Sequence, residues 1–367
     1  MECWVLNECR RHHGFLDAAF QICDCRHRSG DLYHGGAAWT EYCVYMQLGY
    51  FRSAVGEDLM MSSRSTRVGF VGVGKIGRPM VGQLLRAGHA LMVLDSDAAA
   101  SSVFDEAAGA EVATSLGEVT EKCDIVCLCL PGPAEVEEVV LGEGGIESDI
   151  RSGALIVDHT TGSPALVREI GEKLHARGAS LVDAPISGGV EGAAEGTLTT
   201  LIGGAHADVE RVRPLLEAFS SDVVHVGPLG TGTIAKLMNN LAAFSMDQVI
   251  GECLAIGVKA GISPDDLLDA LQRAAIGKGG NLHVRLPETF MKGDFEPRFT
   301  LATAYKDLGL AVGLADELDV PIVLSRAVLA EMETAVSMGL GHRDASIVMT
   351  LQEERAGVQI SNRHDTA

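Results

Sequence analysis

Three short stretches carry residue types that can do chemistry together. Gly72-Val73-Gly74-Lys75-Ile76-Gly77 is a G-x-G-x-x-G run, with an acid, Asp95, placed 23 residues past its first glycine. Such a run suits a dinucleotide. Gly72 permits a tight turn, Gly74 lets the backbone approach a pyrophosphate, and Gly77 allows a helix to pack closely on a strand. The helix that follows supplies amides and the positive end of a dipole. Asp95 can accept hydrogen bonds from an adenosine ribose and would repel a 2′-phosphate. Ser96 and Asp97 offer no arginine for that phosphate, so the pattern favours NAD over NADP. Ser187-Gly188-Gly189 offers a hydroxyl and two unobstructed amides, which suits a carboxylate or carbonyl oxygen; a loop that merely holds several glycines is the competing reading. Lys236 and Asn240 are four apart and share a helix face. Flanked by Ala235, Leu237 and Met238, Lys236 can be partly desolvated, with a lowered pKa. It can then exchange a proton with an alcohol or carbonyl oxygen. A solvated helix lysine is the alternative.

Regular elements must hold these groups. Arg67 to Val73 reads as a strand, and the helix after it carries Ile76, Met80, Val81, Leu84 and Leu85 on one face and stops at Gly88. A second strand, Ala90 to Leu94, leads to Asp95. Further strands are predicted over Asp124–Leu130, Ala154–Asp158 and Ser180–Ala184, with a helix over 165–177. This alternation predicts an α/β fold with a doubly wound, mostly parallel sheet. Gly72, Asp95, Pro131, Thr161 and Pro185 then fall at the carboxyl ends of strands and line one crevice. After Gly230 the strand pattern stops. Helices are predicted over Lys236–Lys259, Ser263–Ala275, Leu301–Leu318, Ile322–Met338 and Asp344–Glu354. The expected organisation is a Rossmann-type domain over 61–228 and an all-helical domain over 229–356, entered by a long helix from about 233. A polar tail over 357–367 is expected to fray.

The chain has 367 residues, and its 29 basic against 50 acidic residues give a net charge of −21. That balance disfavours nucleic acid and anionic membranes as partners. There is no unbroken run of about 18 apolar residues, so no membrane-spanning helix is expected. Residues 1–60 differ from the rest. They hold five of the nine cysteines, both tryptophans and four of the five tyrosines, without a clear helical or strand period. Cys23-x-Cys25 and His12-His13 lack paired C-x₂-C spacing, so no metal site is expected. This leader reads as a segment outside the fold, either disordered or a mis-assigned start, with Met60-Met61 a natural beginning. Cys123, Cys127, Cys129 and Cys253 read as core thiols, and a reducing cytoplasm is the expected compartment.

Taken together, the motifs resemble the β-hydroxyacid dehydrogenase family from Arg67 to Glu354, in the family's order. Gly72 to Met80 resembles its cofactor signature, Asp183 to Gly196 its substrate-binding signature, and Gly230 to Asn240 its catalytic-lysine segment. Tyr305-Lys306-Asp307-Leu308 and Gly341-His342-Arg343-Asp344 resemble two motifs of its C-terminal domain. The resemblance implies that Gly72, Gly74, Lys75, Ile76, Gly77 and Asp95 bind the cofactor, with Leu130, Pro131 and Thr161 at its nicotinamide half. It implies that Ser187, Gly188 and Gly189 hold a substrate carboxylate. Lys236 would be the general acid/base, oriented by Asn240. Lys306 would reach cofactor and substrate, supported by Asp307, whereas Asp344 reads as a structural partner or helix cap.

The implied reaction is reversible NAD-dependent oxidation of a small 3-hydroxy acid, such as 3-hydroxyisobutyrate, to its semialdehyde. NADPH-dependent reduction of tartronate, glyoxylate or succinic semialdehyde is the alternative. Lys236 argues against an imine reductase, and the intact Lys236, Asn240 and Ser-Gly-Gly argue against a non-catalytic cofactor-binding protein. The family also implies a homodimer or homotetramer. Three departures are visible: Thr160-Thr161 stands where Ser-Thr is usual, Gly277-Lys278-Gly279-Gly280 lacks a serine common in that loop, and the leader over 1–60 has no counterpart in the pattern. The substituent on the substrate is not encoded in any readable motif.

Overall fold

A computed structural model of the protein describes residues 66–104 and 109–362. The leader over 1–60 and the last five residues of the tail lie outside the described residues. Arg67–Ala367 forms one compact unit.

The unit opens on β1 (Val68–Val71), four apolar residues buried on both faces, as suits a central parallel strand. Then follow α1 (Gly77–Arg86), β2 (Leu91–Leu94), α2 (Ala98–Ser102), β3 (Ala110–Val112), α3 (Leu116–Lys122) and β4 (Ile125–Leu128). After these come α4 (Pro133–Leu141), α5 (Ile146–Asp149), β5 (Leu155–Asp158), α6 (Pro164–Ala176) and β6 (Ser180–Asp183). The six strands pair in parallel in the order β3-β2-β1-β4-β5-β6. All their carboxyl ends therefore lie along one edge, and the strand order reverses between β1 and β4. The chain continues through β7 (Ile186–Ser187), α7 (Gly189–Glu195), β8 (Leu198–Gly203), α8 (His206–Leu216) and β9 (Ser220–Gly227). β8 pairs antiparallel with β6 and β7 and parallel with β9.

Strand side chains alternate between faces, so neighbours go to different cores. Phe70 and Cys127 pack with Met80, Leu84, Leu216 and Phe219 on one side of the sheet. Val71 and Leu128 pack with Val119, Ile156, Ile170 and Leu174 on the other. Four strands had no clear signal in the sequence. β3 has three residues, none buried, and β7 has two. β8 carries two threonines, and β9, with Ser220, Ser221, Asp222 and His225, is half exposed along one face.

The helical part comprises α9 (Thr231–Lys259), α10 (Pro264–Arg273), two short helical turns over 281–288, α11 (Leu301–Glu317), α12 (Leu324–Ser337) and α13 (Thr350–Ala356). Glu252 ties α9 to α12: its carboxylate accepts from the N–H groups of Val323, Leu324 and Ser325 and from the Ser325 hydroxyl, at 2.6–3.0 Å. Phe290, Phe295, Leu301, Ile347 and Leu351 form one small core here, and Val312, Ala315, Val320 and Ile322 another.

Two expectations are corrected. Asp344–Glu354 is not one helix. Buried Asp344 caps a tight helical turn over Ala345–Met349 while also accepting from the N–H groups of Arg298 and Phe299, and α13 starts only at Thr350. Nor does the start of the tail fray. Ile360 and Ser361 donate their N–H groups to Glu353 Oε1 at 2.7 and 2.6 Å, and Asn362 donates to the Met291 carbonyl. By length and composition, α9 is also long and apolar enough to cross a membrane. Isolated charges such as Asp247 interrupt its apolar run without making the helix polar. Leu241 and Phe244 on it are 61% and 65% exposed.

Candidate active site

The reversal of strand order between β1 and β4 is where open α/β sheets form a crevice. Gly72 follows β1 with φ +94°, a conformation natural only to glycine, and a Cβ there would run into the Cys129 carbonyl. A Cβ on Gly77 would run into the Gly72 carbonyl, so only glycine lets α1 start this close to the turn. Gly74 is the opposite case, with open space where a side chain would be. Neither α1, preceded by Ile76, nor α4, preceded by Gly132, has a side-chain cap at its N-terminus. Two helices thus begin after strands next to the reversal point with amides that no side chain caps, a setting suited to a pyrophosphate. Lys75 is exposed and Ile76 half-buried on the same turn.

At the end of β2, Asp95 Oδ2 accepts the Val73 N–H at 2.7 Å and Oδ1 accepts the Asp97 N–H at 2.9 Å. The ribose-binding candidate is therefore locked to the glycine turn. The Leu130–Pro131 turn is held from β5. The Leu130 N–H donates to Thr160 Oγ1 at 3.1 Å, and the Thr160 N–H donates to Asp158 Oδ1 at 2.9 Å. Burial pushes the Asp158 carboxyl up to about 6. Thr161 is half-buried beside this chain of bonds.

Sequence reasoning missed His159. It is buried between Phe70 and Phe219, and its Nδ1–H donates to the Ala184 carbonyl at 2.8 Å. Burial pushes it down to about 4, so it is neutral at pH 7.

Ser187 lies on β7 opposite Thr199, and Gly188 and Gly189 follow with φ of +130° and +70° at the uncapped start of α7. The strand that leads into this loop ends at fully buried Asp183. Its carboxylate accepts the Gly230 N–H at 2.7 Å and the Thr233 N–H at 2.6 Å. The first turn of α9 is thereby fixed to the loop's strand. α9 begins at Thr231, slightly before the expected start near 233, and this remote carboxylate satisfies its first amides. Lys236 is half-buried three residues past Thr233, and desolvation lowers its pKa. Asn240 is half-buried one turn on, with Asn239 donating to its Oδ1 at 3.3 Å.

Lys306 stands apart. It is exposed on α11 and pairs with Asp307 at 2.8 Å. Among the described residues, no hydrogen bond or ion pair joins it to Lys236, Ser187 or the glycine turn. None of the described residues form a group of three or more His, Cys, Asp or Glu able to hold a metal. The signal for Asp158 and Asp183 was present but unused: an acid ending an apolar, buried strand must find donors nearby.

A Rossmann-type sheet with uncapped helix ends and a glycine turn at its reversal point, followed by a helical domain entered through a lysine-bearing helix, defines an NAD(P)-binding oxidoreductase. Residues 67–227 match the profile of the NAD binding domain of 6-phosphogluconate dehydrogenase, and residues 230–351 that of the NAD-binding of NADP-dependent 3-hydroxyisobutyrate dehydrogenase. The chain is 33% identical to 2-(hydroxymethyl)glutarate dehydrogenase of Eubacterium barkeri over 299 residues, 81% of this chain and 98% of that one. It is 33% identical to mitochondrial 3-hydroxyisobutyrate dehydrogenase of Mus musculus over 317 residues, covering 83% and 93%. Among solved structures, 3-hydroxyisobutyrate dehydrogenase of Mycobacterium tuberculosis with L-serine matches with a TM-score of 0.54 at 29% identity, over 78% of this chain and 99% of that one. The chain belongs to the β-hydroxyacid dehydrogenase family and is an NAD(P)-dependent dehydrogenase acting on CH–OH groups.

Proposed function

We propose that this protein catalyses the reversible, NAD-dependent oxidation of a small 3-hydroxy acid to its semialdehyde, with Lys236 as general acid/base. The observation that carries the reading is the link through Asp183, which joins the helix of half-buried Lys236 to the strand that opens the Ser187–Gly189 loop.

The residues present fit a dinucleotide. Gly72 and Gly77 make the turn compact, Gly74 leaves room beside it, and Gly74, Lys75, Ile76 and Gly77 offer backbone to the pyrophosphate. Asp95, held by the Val73 N–H, has lone pairs left for ribose hydroxyls and carries a charge that repels a 2′-phosphate. Leu130, Pro131 and Thr161 flank the nicotinamide half. When bound, the oxidised nicotinamide supplies the hydride acceptor.

Ser187, Gly188 and Gly189 hold the substrate carboxylate, which turns the hydroxyl-bearing carbon toward the crevice. Neutral Lys236 takes the hydroxyl proton on Nζ as the C–H hydrogen leaves as hydride. In the reverse direction its ammonium returns that proton to the aldehyde oxygen. Desolvation of Lys236 favours the neutral amine and brings its pKa nearer to the working pH. Asn240, one turn on, orients the amine or the substrate oxygen. Lys306 reaches the bound pair from α11 when the two halves close on it.

The second reading is an NADPH-dependent semialdehyde reductase. It is favoured by the NADP-dependent description of the profile matched over 230–351. Asp95, without a following arginine, counts against it. The exposed apolar residues of α9, Leu241 and Phe244 among them, are read as a self-association face of a homodimer or homotetramer.

The test is NADH formation from NAD⁺ with a panel of 3-hydroxyisobutyrate, glycerate, 3-hydroxypropionate, 4-hydroxybutyrate and threonate, with NADP⁺ in parallel. Turnover of one acid with NAD⁺ supports the reading. A folded protein that binds NADH but oxidises none of them rejects the substrate class, and a preference for NADP⁺ moves the assignment to the second reading. Light scattering on the purified protein decides the oligomer, and a monomer would sink that part.

A further inference from the structure

We infer that Asp183 is a positioning residue for the reaction: it fixes the first turn of α9, and with it Lys236, against the loop that binds the substrate. The inference rests on the reading of Lys236 given above.

An ordinary helix cap comes from the residue just before the helix, as Ser163, Ser263 and Thr300 cap α6, α10 and α11. α9 departs from this. Its N-cap is Gly230, in a left-handed conformation and without a side chain to offer. The cap arrives instead from Asp183, 47 residues earlier than Gly230. The donors, Gly230 and Thr233, bracket the first turn, and each binds a different carboxylate oxygen. These amides are otherwise orphans at the positive end of a 29-residue helix, where a carboxylate is most effective.

The surroundings leave Asp183 no freedom. A Cβ at Gly203 would lie 2.5 Å from its Oδ1, and one at Gly232 would lie 2.7 Å from its backbone carbonyl. Two glycines therefore let strand, turn and helix close around one buried carboxylate. On the far side of Asp183 the chain runs through Ala184 and Pro185 to Ser187. Asp183 thus ties the strand that leads into the loop to the first turn of the lysine helix. A misplacement of about 1 Å in such a geometry can cost on the order of 10²-fold in rate.

The experiment compares full-length wild type, Asp183→Asn, Asp183→Ser and Asp344→Asn. Asn turns a donor toward one of the two amides, and Ser keeps a single, shorter acceptor. Asp344→Asn is the control, because Asp344 caps a different helical turn with the same chemistry and is not part of the proposed site. Three readouts are taken: kcat and KM for the hydroxy acid, NADH affinity by fluorescence, and the pH dependence of Lys236 acylation followed by mass spectrometry. For Asp183→Asn, kcat is expected to fall by about 10- to 10²-fold while NADH affinity stays within about twofold. The acylation midpoint of Lys236 moves up toward an ordinary lysine, because a loosened turn lets water in. Asp344→Asn loses thermal stability but keeps kcat and the acylation midpoint.

Three results would overturn the inference. The first is a folded Asp183→Asn protein with wild-type kcat and wild-type Lys236 acylation. The second is equal loss of activity in Asp183→Asn and Asp344→Asn, in step with their melting temperatures. The third is failure of both Asp183 variants to fold, which makes the carboxylate purely structural. If the wild type oxidises no hydroxy acid, the proposed substrate class fails instead, and the acylation comparison still scores the positioning of Lys236.

Discussion

Asp158 and Asp183 are register partners at the carboxyl ends of neighbouring parallel strands, so their buried side chains leave the sheet on the same face, and each carboxylate holds a different element. Asp158 holds the Thr160 backbone, whose hydroxyl in turn holds the Leu130 turn. Asp183 holds the first turn of the lysine helix. Two adjacent strand ends thus anchor the turn and the helix to which the proposed function assigns cofactor and substrate. The cost of burying two acids is offset by backbone N–H donors rather than by basic side chains.

Replacing Lys236 by alanine is expected to lower kcat by about 10²- to 10⁴-fold, the usual share of general acid–base catalysis, with NADH affinity little changed. In the wild type, kcat for oxidation rises with pH to a plateau, because the neutral amine is the active form. Its midpoint lies below the ordinary lysine value of 10.5, since burial lowers this group. The reductive direction shows the opposite limb. Steady-state pH profiles in both directions check this, and a Lys236→Ala enzyme within tenfold of wild type would reject it.

Asp95 is pinned by the Val73 N–H, so its carboxylate is fixed at the place proposed for the ribose. The pair Asp95→Ser and Ser96→Arg should move the NAD to NADP ratio of kcat/KM toward NADP by about 10²-fold, since a like-charge clash costs several kcal/mol. An unchanged ratio would show that cofactor choice lies elsewhere.

His159 and Asp158 pull stability in opposite directions with pH. The folded pKa of His159 is depressed to about 4 from 6.5. The unfolded chain therefore binds more protons between those values, and stability is lost as pH falls through that window. The folded pKa of Asp158 is raised to about 6 from 3.8. Its contribution is present below 3.8 and lost as pH rises through about 6. In the wild type the two effects oppose each other. His159→Phe removes one of them, so its stability relative to wild type should improve by about 2 kcal/mol between pH 7.5 and pH 5. Denaturant unfolding at the two pH values measures this, and a pH-independent difference would count against a neutral buried His159.

Gly77 and Gly74 separate the two uses of glycine in one turn. Gly77→Ala drives a methyl into the Gly72 carbonyl and should cost about 1–3 kcal/mol of stability together with NADH affinity. Gly74→Ala meets open space in the protein, so its stability should stay within about 0.5 kcal/mol of wild type. Its NADH affinity should nevertheless fall, because the methyl occupies the ligand's approach. Thermal melts and NADH titrations of the pair distinguish packing from binding.

The sequence by itself determined five of the six parallel strands, β3 excepted, the glycine turn with Asp95, and the longer helices that follow Gly230. These are local signals: a buried strand is a short apolar run, and a turn with positive φ asks for glycine whatever surrounds it. The resemblance carried by Asp183 to Gly196 and Gly230 to Asn240 pointed to the family. Tertiary structure alone decided the rest. β8 and β9 are half polar, so only their pairing makes them strands. His159 reads as a polar residue in a loop until Phe70 and Phe219 close on it. Asp183 reads as part of a loop motif until residues 47 and 50 positions later bring their amides to it. No periodicity in a chain encodes such a contact, because its donors are backbone groups that every residue but proline carries. Only the fold selects which of them meet a given acid.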